Sequence, residues 1–371
     1  MSRPEINDTD ITPNLVFERN RLNAGENRKR MTALVYTVSL LLAALMGFAV
    51  HRASLCTVKT VAEIFSSRRA YMMATLLKAV LWVVAVSVPI LMFLPDTAAP
   101  NPSYAISVTA IGGGFLFGVG AAVNGGCAFS TLGHLANGNL WMLTTLFGFC
   151  IGVAGLSFMV PMIDPSAALS PVLFKAPKPL IIMVLVFLWL FVCREIFRLW
   201  RSRERGKSWR QLLFARYYRL STAALLLGFS GGVLYTLHDA WTYTSVLKRQ
   251  VQSLWQLIEQ PAAIDLLLFP ALFCGMFLSA WQRGSLRLRW RRIQTWPRHL
   301  IGGTLMGAGA VLIPGGNDTL ILDSLPGLSP HAIPAFVALL CGIGVTLLLM
   351  RLLTGKTLKV VCTNDICRTK N

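Results

Sequence analysis

Asn124-Gly-Gly-Cys-Ala-Phe-Ser-Thr-Leu-Gly-His-Leu-Ala-Asn-Gly-Asn139 is a polar insert between two strongly apolar runs, and no Asp, Glu, Lys or Arg occurs anywhere between Asp96 and Asp164. Non-helical backbone survives at membrane depth only where it is buried in protein or lines a cavity, commonly as a broken half-helix. The insert therefore predicts a chain interrupted inside the membrane, with a short re-entrant helix starting near Cys127.

The rest of the composition agrees. Of 371 residues, 54% are hydrophobic and 14% charged, with a mean hydropathy of +0.59, too apolar for an ordinary soluble domain. The apolar runs last about 20 residues, the length a helix needs to cross the hydrocarbon core, where barrel strands would alternate over about 10. The expected fold is an all-α polytopic membrane protein. Nine spans are read at about residues 31–51, 70–94, 103–122, 139–162, 177–199, 219–236, 262–281, 298–313 and 331–353, the fifth being a connector.

The net charge of +19 sits in Lys and Arg beside the spans, so it reads as topology and not as a nucleic-acid footprint. The Arg198–Arg219 and Arg283–Arg298 loops and the tail with Lys356 and Lys359 are expected on the cytoplasmic side, and the uncharged Pro95–Pro102 loop outside. Nine spans then leave Arg28, Lys29 and Arg30 outside; either that segment departs from the bias or the count is off by one. Residues 1–30 carry no apolar stretch with a small-residue cleavage site and read as a polar tail. Among the eight cysteines, Cys150, Cys193, Cys274 and Cys341 fall at irregular spacing within apolar runs and read as small hydrophobes packed between helices. No structural disulfide, metal or cofactor is expected. Cys362 and Cys367, in a polar tail, lack a zinc-ligand spacing and leave a sulfur-relay role open.

A repeat is visible. Gly307-Ala-Gly309 followed by Gly315-Gly-Asn317 echoes Gly118-Val-Gly120 followed by Gly125-Gly-Cys127, an offset of 317 − 127 = 190. Gly47, nine residues before Cys56, is matched by Gly232, nine before Trp241, an offset of 232 − 47 = 185. These imply a duplication of 31–162 onto 219–353, around a connector with a basic loop at 163–218 and followed by a cytoplasmic tail at 354–371. Internal repeats with broken helices are the plan of many secondary transporters.

Gly47-Phe-Ala-Val-His-Arg-Ala-Ser-Leu-Cys56, Gly113-Gly-Phe-Leu-Phe-Gly118 and Asn124-Gly-Gly-Cys127 resemble the YeeE/YedE sulfur-transport family over nearly the whole membrane portion. The resemblance implies spans interleaved with half-helices, a narrow pathway, and thiosulfate uptake past buried cysteines, Cys56 and Cys127 being the matching positions. A third family cysteine is replaced by Asn317, which leaves sulfite, a selenium oxyanion or another sulfur species open as substrate.

Chemistry fits a small inorganic sulfur anion. Half-helix N-termini favour anions without a fixed full charge, and Gly125, Gly126, Gly315 and Gly316 allow close backbone approach. Neutral thiols add weak polarizable donors, and Asn317 two N–H groups. Importing a dianion against an inside-negative potential costs roughly 4.6 kcal/mol per 100 mV, from ~2.3 per charge. A proton, consumption inside, or a cytoplasmic sulfur-carrier protein would each supply this. A membrane-bound sulfurtransferase using the cysteines covalently is the alternative, weakened because Cys127 has no His or Lys within four residues. Arg52 reads equally as anion steering or an anchor, Lys78 as a snorkelling side chain, His134 as a cap or proton handler, and His238, Asp239, Trp241 and Tyr243 as an interfacial group.

Overall fold

The computed structural model describes residues 13–93, 103–159, 168–169, 178–201, 215–238, 241–255, 258–290, 293–355, 358–363 and 365–370. Asp239, Lys356, the Pro95–Pro102 loop and residues 202–214 of the basic loop lie outside them. The helices are α1 (Pro13–Ala53), α2 (Thr57–Ser67), α3 (Tyr71–Phe93), α4 (Val108–Asn124), α5 (Ala128–Ala136), α6 (Met142–Ser157), α7 (Lys178–Arg201), α8 (Leu220–Leu237), α9 (Tyr243–Leu254), α10 (Ala263–Gln282), α11 (Trp296–Leu312), α12 (Asn317–Ser324) and α13 (Ala332–Thr354). Two small antiparallel ladders complete the fold: β1 (Ser103–Tyr104) with β2 (Ala168–Leu169), and β3 (Lys359–Thr363) with β4 (Ile366–Lys370).

Each of the nine apolar runs falls on a helix. Among the described residues, six helical segments are long and apolar enough to cross a membrane, seven if the bent pair α11–α12 is one span, and α6 is shorter. Side chains such as Leu41, Phe147, Phe187, Leu190 and Leu352 stay exposed around the bundle, as a lipid-facing belt requires.

The helices break where the sequence placed its polar inserts, but not all as re-entrant turns. Lys29–Ser67 (α1 with α2) and Val108–Ala136 (α4 with α5) run on as broken spans, whereas α12 is bent from α11 by 48°. The reason is local. At the α4–α5 break only Gly125 has a positive φ, of +81, and its N–H and that of Gly126 close back on Ala122 O and Ala121 O at 3.1 and 3.0 Å, a glycine C-cap. Extended Cys127 then starts α5. In the first unit Ser54, at φ +52, takes the glycine's place and Cys56 starts α2.

Helices meet through glycines, backbone on backbone. On α4 and α11, a Cβ added at Gly120 would lie 2.7 Å from Gly302 O, and one at Gly309 the same distance from Gly113 O. Gly307 of α11 abuts the Phe149 carbonyl of α6, Gly118 of α4 the Leu339 carbonyl of α13, and Gly47 of α1 the Leu272 carbonyl of α10. Lipid offers no hydrophobic drive between helices, so close approach through small residues supplies the contact energy instead.

Several expectations change. The polar segment from Pro13 onward extends α1 instead of forming a tail. Lys78 does not snorkel: its ammonium pairs with Glu195 of α7, tying the connector to α3 above an apolar cluster of Trp82, Ala85, Leu188 and Val192. Cys193, Cys274 and Cys341 are exposed on the bundle, not packed between helices. The C-terminal segment is the β3–β4 hairpin, and Cys362 and Cys367, register partners across it, form a disulfide where none was expected. The positions were visible in sequence; the register that brings them together was not.

Gly307→Val should abolish folding, because the new side chain meets the Phe149 backbone, whereas Gly112→Ala, with nothing within 4 Å, should match the parent. Monodispersity and thermal stability in detergent read the difference.

Candidate functional site

The first turns of α2, α5, α9 and α12 meet inside the bundle. Cys56 and Cys127 are 2% and 1% exposed, and the Cys127 N–H donates to Cys56 Sγ at 3.5 Å. One step away, Asn317 at the start of α12 donates through Nδ2 to Thr57 Oγ1 at 3.0 Å, while its Oδ1 is buried with no partner among the described residues. Turning the amide over keeps the Thr57 contact, with the hydroxyl donating, and leaves the NH2 group free to face an anion. The structure thus gathers Cys56, Cys127 and Asn317, residues up to 317 − 56 = 261 positions apart.

Gly125 and Gly126 act on the turn itself. Their N–H groups are consumed by the α4 cap, and Gly126 O accepts from Asn124 Nδ2 at 2.9 Å. Asn124 is the hub of this turn: Nδ2 also reaches Thr131 Oγ1 at 2.9 Å, and Oδ1 accepts from the Thr145 hydroxyl at 2.8 Å and lies 2.9 Å from His299 Nδ1. On the other side Gly316, not Asn317, holds the N-cap position that Cys127 holds at α5. Its N–H donates to Thr244 Oγ1 at 3.1 Å and Thr319 Oγ1 at 3.2 Å. A Cβ at Gly316 would lie 2.7 Å from Asp318 Oδ1, so only glycine fits.

Asp318 was missed by sequence reasoning. Fully buried, its carboxylate accepts the Thr244 N–H at 3.2 Å and the Thr244 hydroxyl. It thereby fills the N-terminus of α9 with the protein's own anion. Thr242 at the α9 N-cap bonds Thr319 at 2.7 Å, and Tyr243 stacks between Phe129 and Phe269, each 5.9 Å away. A signal existed: Asp318 directly follows the Gly-Gly-Asn element, and a carboxylate inside an apolar run is a functional candidate by default.

Other candidates resolve differently. Arg52 is fully buried, donating to Ser279 Oγ at 3.0 Å, Gln282 Oε1 at 2.8 Å and the Ala215 carbonyl, with Phe48 and Tyr218 against its guanidinium. It clamps α1 to α10 and to the segment before α8. His238 lies 2.8 Å from Ser39 Oγ through Nε2, and Trp241 donates to Asp265 O at 2.9 Å. With Tyr243, these groups are internal, not interfacial. His134 lines a small recess of about 60 Å³ with His51, Ser54, Lys59 and Ser130.

The family model for sulphur transport matches residues 52–345, from Arg52 at the end of α1 into α13, and so spans every half-helix of the site. The chain belongs to the sulphur-transport family. No curated protein matches it. Membership, with several membrane-spanning helices, makes this a multi-pass membrane protein of a transporter family for sulfur species.

Asp318→Ala should lower stability by about 1–3 kcal/mol, the cost of leaving buried donors unpaired. Asp318→Asn, which keeps an acceptor for Thr244, should cost less. Thermal unfolding in detergent compares them, and equal losses would remove the carboxylate from this role.

Proposed function

We propose that the protein is a nine-span, internally duplicated permease of a bacterial inner membrane, passing thiosulfate or a closely related small sulfur anion between Cys56 and Cys127. The observation that carries the reading is the contact of Cys127 N–H with Cys56 sulfur where half-helix starts converge. The anion sheds water there and meets thiol S–H groups, first-turn N–H groups and the Asn317 amide, donors strong enough to replace hydration and weak enough to release it. Both thiols are taken as neutral in this reading, since a thiolate would repel the passing charge. On the α9 side the Asp318 carboxylate already occupies the dipole end, which directs the anion to the cysteine side.

Pairwise contacts support the duplication of 31–162 onto 219–353. Gly113 and Gly302 are separated by 302 − 113 = 189, as are Gly120 and Gly309, so the repeat maps the Gly113–Gly309 contact onto the Gly302–Gly120 contact. Likewise Gly307 on Phe149 and Gly118 on Leu339 exchange under offsets of 189 and 190. The same plan places the basic loop within 163–218 and the tail at 354–371 on the cytoplasmic side, where a sulfur-carrier protein would receive the product.

The test is uptake of sulfur-labelled thiosulfate by cells lacking other sulfate and thiosulfate permeases. The parent should accumulate label, and Cys127→Ala and Cys56→Ala should each lose most of it at equal membrane expression. Uptake unaffected by both substitutions would sink the thiol pathway, and no uptake by the parent would sink thiosulfate as substrate.

A further inference from the structure

We propose that Cys362 and Cys367 form a second sulfur-handling site at the exit of the pathway, a dithiol that takes the outer sulfur of thiosulfate, releasing sulfite and then sulfide. The proposal rests on the transport reading for its substrate.

Placement carries it. A recess of about 140 Å³ is lined by Ser54, Lys59, Met72, Tyr217, Arg283, Val360 and Cys367. Ser54 and Lys59, which flank Cys56 along the chain, line both this recess and the one that holds His51 and His134, so the chamber borders the segment that carries the Cys56 thiol. The chamber has two cations, Lys59 and Arg283, on its wall and Cys367 among its lining, a setting that favours a small anion. The hairpin is held over this chamber from both halves of the chain. The Ser66 hydroxyl and Val360 backbone bond at 3.2 Å, Leu220 N–H donates to Asp365 O at 2.8 Å, and Ser221 N–H donates to the Asp365 carboxylate at 3.1 Å.

Compartment supplies the second argument. Arg298, Arg351 and Lys359 line the neighbouring recess, so this is the basic end of the molecule and faces the cytoplasm. Disulfides in that reducing compartment are usually transient and catalytic or redox-sensing. A buried bond spanning two hairpin residues at the mouth of a sulfur pathway fits the oxidised half of such a cycle.

The chemistry balances. In the reduced hairpin the Cys367 thiolate attacks the outer sulfur of thiosulfate; the S–S bond of the anion breaks and its electron pair leaves with sulfite, giving a Cys367 persulfide. Cys362 then attacks the Cys367 sulfur, the persulfide bond breaks, and its terminal sulfur leaves as hydrosulfide. Two thiols are oxidised to the observed disulfide and one sulfane sulfur is reduced to sulfide. A soluble cytoplasmic dithiol of the thioredoxin class returns the hairpin to its reduced form. Glu63 is placed to take the thiol proton through one water. Its carboxylate lies within 4.8 Å of both sulfurs and is fixed by the Tyr71 and Met72 N–H groups at 3.1 and 2.8 Å. Consumption at the exit would draw further anion inward.

The experiment uses full-length protein in detergent, reduced with a dithiol, desalted and mixed with thiosulfate, with sulfite and sulfide assayed and peptides mapped by mass spectrometry. The intact protein should release stoichiometric sulfite and sulfide and return to the disulfide. Cys362→Ser should release sulfite only and retain one added sulfur on the Cys367 peptide, and Cys367→Ser should release neither. Thiosulfate counterflow by the intact protein in proteoliposomes is read separately. Counterflow without sulfite release overturns the hairpin chemistry and leaves transport standing. Sulfite release that survives Cys367→Ser overturns it as well. Cys367-dependent release without counterflow upholds the hairpin site and overturns the transport reading.

Discussion

Backbone polar groups at membrane depth must find partners inside the protein, and the rest of this architecture follows from how that demand is met at the breaks in the helices. At the α4–α5 break the chain spends one left-handed glycine, closes two N–H groups onto α4, and lets Asn124 saturate the remaining oxygens through α5, α6 and α11. At the α12 start, three threonines and an aspartate perform the same task. One break is therefore lined by thiols and the other sealed by a carboxylate.

Much of this was legible in the chain. The nine apolar runs all fell on helices because hydropathy over 20 residues reports a property of the segment alone. The Gly-Gly-Cys element located a helix break and the cysteine that starts the next half-helix, since a glycine pair within an apolar run has few other uses. Cys56 was found from its spacing to Gly47 and from the family resemblance, and the structure sets it against Cys127.

What sequence did not give depends on partners remote along the chain. Arg52 is a clamp because Ala215, Ser279 and Gln282 arrive beside it, and nothing near position 52 announces them. Lys78 is paired because α7 brings Glu195 back. How sharply a break bends rests on a few residues of backbone: α4 and α5, joined through Gly125 and extended Cys127, run on as one broken span, while the Pro314-Gly315 junction turns α12 through 48°. The hairpin disulfide rests on a register that places Cys362 opposite Cys367, and a short polar segment carries no periodicity from which to read it.

The seam between α4 and α11 bears on how the molecule moves. Glycines cross there at two levels, Gly113 with Gly309 and Gly120 with Gly302, peptide group against peptide group. Leu305, Leu312, Phe117 and Asn124 flank these glycines closely, so displacing one helix along the other would drive their side chains and the carbonyl oxygens into the neighbouring backbone. The central pair therefore behaves as a rigid spine. On the proposed transport reading, opening and closing fall to the half-helix tips and the hairpin, with the α4–α11 pair as a nearly stationary frame around which small groups swing aside.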